Sequence, residues 1–206
     1  MIRLVAGAIA AMACTPVTMA LLRRAATTPL SPTVQLLCVV GTWVAGAAVG
    51  LWPQPLVPAA ACLCLLAIPA AAIDVAEHRI PNQLSLPLVG AMAISLSSAA
   101  LLAPNGASGV RALIGSSLWG GLLLLSFVLT GQPGPGDVKL APSVGAILGW
   151  FGWPWLLGGL IATYLLTAVA GLVGVIAGRY LLRDGQVPMG PSMAAIALVL
   201  GTLAQV

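Results

Sequence analysis

Eight apolar runs follow one another along this chain, parted only by short polar or Pro/Gly-rich breaks. They cover roughly residues 2–22, 34–52, 56–73, 84–103, 110–130, 138–151, 153–178 and 188–205. A helix crossing the hydrocarbon core of a bilayer needs about 20 apolar residues. It also satisfies its own backbone hydrogen bonds, which an irregular segment in lipid cannot do. Only 6% of the residues are charged, against roughly a quarter in soluble domains, and the mean hydropathy is +1.10. The expected fold is therefore all-α: a polytopic membrane protein of about eight transmembrane helices with short loops, forming one domain over residues 1–206.

The charges give an orientation. If Arg23 and Arg24 are cytoplasmic, alternation of spans brings Arg79, Lys139, Arg179 and Arg183 to the same side. Arg3 and Arg111 fall on the other side. This is the excess of basic residues expected of cytoplasmic loops. Trp43, Trp52, Trp150, Trp153 and Trp155 would then gather towards the opposite interface, where aromatic belts form. A net charge of +4 spread over loops sets topology and makes no nucleic-acid surface. The N-terminal stretch, a short basic start followed by an apolar run, is read as a retained first span and not as a cleaved signal.

Cys14, Cys38, Cys62 and Cys64 all lie inside apolar runs, and the one histidine is His78. No CxxC pair exists, so no zinc site is expected, and the cysteines are read as small packing residues. No metal or cofactor is expected.

Only four residues are acidic: Asp74, Glu77, Asp137 and Asp184. Asp74 ends the run LVPAAACLCLLAIPAAAID, and Asp137 follows another run in the loop GPGDVKL. A carboxyl at a membrane boundary is costly and marks a functional site by default. Alternation places both at one membrane face. Two neighbouring carboxyls share a proton, so one can take a proton from water while the other donates to a developing oxyanion. Gly134 and Gly136 beside Asp137 let a substrate backbone come close. Pro81 and Asn82 end the loop after Asp74 and start the next span.

These segments resemble the bacterial type IV prepilin peptidases. IDVAEHRIPNQLSLPL is similar to their first motif, an Asp followed by a short basic loop and Ile-Pro-Asn. GPGDVKL is similar to their second, GxGD followed by a lysine. Val187-Pro188-Met189-Gly190-Pro191-Ser192 is similar to the family's entry into its last span. The three stand in the family order and cover roughly residues 60–206. The resemblance implies a GxGD-type membrane aspartyl protease with Asp74 and Asp137 as the catalytic pair. Gly134, Gly136, Lys139, Pro81, Asn82, Gly190 and Pro191 would support them. It implies a prepilin or pseudopilin precursor as substrate, cut at the cytoplasmic face of the bacterial inner membrane after a short basic leader. Its partners would be the lipid bilayer and pilus or type II secretion machinery. Larger members carry a zinc-binding segment with paired CxxC motifs between their first two spans and N-methylate the new terminus. Here residues 23–32 hold that place and contain no cysteine. The chain resembles the short form, similar to those serving Flp-type pili, and the methyltransferase activity is not carried over.

Other readings stand beside this one. The two aspartates could serve a proton-coupled transporter, although such carboxyls usually sit near the midplane. The chain could also be a catalytically silent scaffold. Asp74 could simply cap a helix or pair with Arg79, and Asp137 could be a turn residue paired with Lys139. Glu77 and His78 read as solvated loop residues, Lys139 as an interfacial anchor or a tuner of Asp137, and Asp184 as a loop ion-pair partner of Arg179 or Arg183.

Overall fold

A computed structural model describes residues 1–102, 107–176 and 187–205. Arg179, Arg183 and Asp184 lie outside the described residues. Every regular element among the described residues is helical. The order is α1 (Ile2–Ala13), α2 (Thr15–Ala25), α3 (Pro32–Val49), α4 (Val57–Cys62), α5 (Ile68–Glu77), α6 (Asn82–Leu102), α7 (Ala107–Thr130), α8 (Pro135–Phe151), α9 (Trp153–Ile176) and α10 (Gly190–Leu203). A short 3₁₀ turn, Gln54–Leu56, leads into α4, and a π turn, Leu63–Ala67, joins α4 to α5.

Among the described residues, each of the eight expected apolar runs is mainly helical. Among the same residues, five stretches are long and apolar enough to cross a membrane: Pro32–Val49, Gln54–Glu77, Asn82–Leu102, Ser108–Thr130 and Trp153–Ile176. A sixth arises if α1 and α2, bent by 47°, form one broken span. The remaining two, α8 and α10, are 17 and 14 residues long.

Prolines explain the breaks. Pro16, at the start of α2, lacks an N–H and crowds the carbonyl four residues back, which bends the α1–α2 run. Pro69 does the same to Leu65, and the π turn that ends at Ala67 accommodates it. Thr42, Ser85, Thr167 and Thr202 each donate the side-chain hydroxyl to the carbonyl four residues earlier. Those hydroxyls need no water or partner helix at membrane depth.

Helix α8 is the centre of the packing. It touches α6, α7, α9 and α10, and Leu140, Ala141, Val144, Ile147 and Leu148 on it are fully buried. Helices α7 and α8 come together backbone to backbone, Gly145 of α8 resting on the carbonyl of Gly115. Small residues at such a crossing let dispersion contacts replace the hydrophobic drive that lipid does not supply. The outer faces of α7 and α9 expose Leu113, Leu125, Val128, Ile161, Leu165 and Val169, as helices facing lipid do.

The expected tryptophan belt is only partly present. Trp52 and Trp150 are buried, and Trp153 is 45% exposed. Trp52 packs edge-on against Phe151, with ring centroids 5.5 Å apart, and donates its indole N–H to Thr202 Oγ1 at 3.1 Å. An indole whose N–H finds an internal acceptor has no need of the interface. All four cysteines are free thiols, with Cys38 and Cys64 buried.

Candidate active site

Asp74 sits in the last turns of α5. The helix runs past it to Glu77 and stops at His78, whose backbone is left-handed (φ 52°, ψ 40°) and donates its N–H to the Asp74 carbonyl at 2.9 Å. Asp137 sits in the first turn of α8, not in a loop before it. Gly134 is extended and Pro135 opens the helix, the position where a missing N–H costs nothing. The first-turn placement also sets a carboxyl at the positive end of the helix dipole.

The fold brings these two side chains into one cavity of about 460 Å³. Its wall includes Asp74, Glu77, His78, Arg79, Ile80, Gly134, Pro135, Gly136, Asp137, Lys139, Val187 and Pro188. Asp74 is 4% exposed and Asp137 6%, and both carboxyls line the same cavity. Asp74 Oδ2 accepts the backbone N–H of Gly190, the first residue of α10, at 3.1 Å. Asp74 thus contacts the start of α10. Asp137 Oδ1 is buried and has no hydrogen-bond partner among the described residues. A buried carboxyl oxygen left open beside a second carboxyl is a place for water or a substrate group.

The remaining expected site residues fall into two groups. Gly134, Gly136 and Lys139 line the cavity. Lys139 does not reach Asp137; its ammonium donates to Asn82 Oδ1 at 2.7 Å, joining the start of α8 to the start of α6. The Pro81 carbonyl accepts from the N–H groups of Leu84 and Ser85 and so holds the first turn of α6. Gly190 touches Asp74, whereas Pro191 lines a separate apolar groove between α3, α5 and α10.

Two of the other readings differ from what the fold shows. Arg79 pairs with Glu77, Nε to Oε2 at 2.7 Å, and not with Asp74. Glu77 is not a solvated loop charge: it also accepts from the N–H and hydroxyl of both Thr27 and Thr28. Ile80, which the sequence reading placed in the first motif without a role in the site, is buried between Gly136 and Gly190. No local signal marks these contacts, because Thr27, Thr28, Gly136 and Gly190 are all remote in sequence from residues 77–80. Among the described residues no three His, Cys, Asp or Glu side chains gather as a metal site would require.

A family model described as the type IV leader peptidase family matches residues 59–178, more than half of the chain and including both aspartates. The chain belongs to that family. Two curated relatives from Burkholderia pseudomallei, strains 1026b and K96243, are each named prepilin leader peptidase/N-methyltransferase. Each is 33% identical over 157 residues, which is 75% of this chain and 49% of the relative. The chain thus spans about half the length of the curated relatives it matches. No solved structure matches it. Gly190 and the Thr27–Thr28 pair lie outside the matched segment, yet both bond to residues inside it.

Proposed function

We propose that this chain is an aspartyl endopeptidase that removes the leader of prepilin-like precursors at the cytoplasmic face of the bacterial inner membrane. Asp74 and Asp137 are the catalytic pair. The observation that carries this is their meeting, from two different helices, as two buried carboxyls lining one polar cavity. Gly134 and Gly136 leave room for a substrate backbone, and Gly190 holds Asp74 through its N–H. Lys139, Asn82 and Pro81 fix the helix starts around the cavity, and Pro191 stiffens the start of α10.

The chemistry follows from two carboxyls sharing one proton. A water between them gives a proton to the ionised carboxylate as its oxygen attacks the scissile carbonyl carbon. The protonated carboxyl donates its proton to the carbonyl oxygen, so the tetrahedral intermediate is neutral. Collapse expels the amine, which takes the proton from the carboxyl that water protonated, while the other carboxylate takes a hydroxyl proton of the gem-diol; the product acid forms and the pair again shares one proton. No metal or cofactor enters the sequence.

The test is direct. The purified protein is incubated with a synthetic precursor bearing a short basic leader that ends in glycine, followed by an apolar helix. Leader removal is read by mass spectrometry. Wild type cleaves; Asp74→Asn and Asp137→Asn insert normally and do not. Full cleavage by either variant removes that residue from the pair. An inert wild type sinks the proposal.

A further inference from the structure

Glu77 lines the cavity, but both its oxygens are already engaged. Oε1 accepts from Thr27 N at 2.8 Å, Thr28 N at 2.9 Å and Thr28 Oγ1 at 3.0 Å. Oε2 accepts from Thr27 Oγ1 at 2.9 Å and Arg79 Nε at 2.7 Å. A carboxylate offers about four lone-pair sites, so none is left for a substrate. Arg79 extends the contact by donating to the Ala25 carbonyl at 3.0 Å. These are charge-assisted bonds, the stronger kind. Together they tie the connection between α2 and α3 to the short loop between α5 and α6.

That loop carries Ile80, which is 5% exposed. A Cβ built at position 136 would lie 2.8 Å from Ile80 N, and one at 190 would lie 3.1 Å from Ile80 Cδ1. Ile80 is therefore a wedge between the first turn of α8, which holds Asp137, and the first turn of α10, whose N–H holds Asp74. Glu77 and Arg79 flank the chain just before the wedge.

We propose that Glu77 is a positioning residue for the aspartate pair: by clamping Thr27 and Thr28 it holds Ile80 against both glycines and so sets the spacing of Asp74 and Asp137. This rests on the peptidase reading for its catalytic consequence, but not for its structural one. Residues 25–28 lie outside the segment that matches the family. The clamp thus makes the N-terminal helices part of the site.

Two measurements on the full chain test it. In the cleavage assay with the synthetic precursor, Glu77→Gln lowers kcat by on the order of tenfold or more, since small misplacements of reacting groups are costly. KM changes little. Thr27→Val combined with Thr28→Val lowers kcat less, and adding both to Glu77→Gln has no further effect, because the three form one unit. The second measurement needs no activity. In a background lacking the four native cysteines, Asp74→Cys and Asp137→Cys are oxidised, and the rate of disulfide formation changes when Glu77→Gln is added. Unchanged kcat together with an unchanged disulfide rate overturns the proposal. So does a variant that loses only thermal stability while keeping full kcat below its midpoint. If wild type does not cleave, the peptidase reading fails and the disulfide rate alone decides the clamp. If Glu77→Gln does not insert, the paired threonine variant carries both measurements with the same expectations.

Discussion

Gly190 donates its backbone N–H to the carboxyl of Asp74 across 116 residues of chain, at 3.1 Å. The bond joins the end of one helix to the beginning of another. It sets Asp74, which lies near the unfavourable negative end of α5, against the positive end of α10. The approach is close because position 190 has no side chain: a Cβ there would stand 2.7 Å from Asp74 Oδ2.

Gly190→Ala should therefore damage the site more than the fold. The new methyl must displace either the carboxyl or the start of α10. Cleavage is expected to fall by on the order of a hundredfold in kcat, the scale of a misplaced catalytic group, while the protein still inserts and purifies. Wild-type kcat would show that Asp74 does not depend on this contact.

Gly136→Ala probes the other side of the wedge. Its Cβ would meet Ile80 N at 2.8 Å and Ile80 Cβ at 2.9 Å. Because one neighbour is backbone, trimming Ile80 to valine cannot restore the space. A loss of at least tenfold in kcat is expected, not rescued by Ile80→Val. Gly121→Ala, where nothing lies within 4 Å, should leave cleavage unchanged and serves as the control.

The pH dependence of kcat/KM should be bell-shaped. One carboxyl must be ionised to accept a proton from water, so the rate rises as the pair loses its first proton. The other must be protonated to donate, so the rate falls as the second proton leaves. The two midpoints belong to the pair and not to either aspartate. A profile with a single rising limb and no descent would remove the acid role.

Lys139 and Asn82 should act as one structural unit. Their contact, 2.7 Å between Nζ and Oδ1, lies at the solvent-exposed rim, so it is worth at most about 1 kcal/mol. Lys139→Met and Asn82→Leu should each lower the thermal midpoint slightly. The double variant should be no worse than the poorer single one. Additive losses, measured by thermal unfolding in one detergent, would mean that the residues act apart.

The sequence by itself determined the solvent, the helices and the two acids. Apolar runs of near-spanning length admit only helices, since every backbone group in lipid must be satisfied within the segment. Scarcity made the aspartates visible: with four acidic residues in 206, a carboxyl at a membrane boundary stands out. Pro81 marked the start of α6, whereas Pro16 and Pro69 lay inside runs read as unbroken, and their breaks showed only in the fold. The sequence did not show that α8 begins early enough to hold Asp137 in its first turn. It also did not show that Trp52 faces inward to Thr202.

Tertiary structure alone decided who meets whom. Glu77 looked like a solvated charge because its partners, Thr27 and Thr28, lie some fifty positions earlier. Lys139 stands two residues from Asp137, yet it bonds to Asn82, 57 positions earlier. Ile80 stood in the first motif, but nothing local showed that it packs between Gly136 and Gly190. Hydrogen bonding and close packing depend on distance in space, and in a helical membrane protein that distance is set by how separate spans pack. Local pattern determines each span; only the packed bundle determines which ends of them touch.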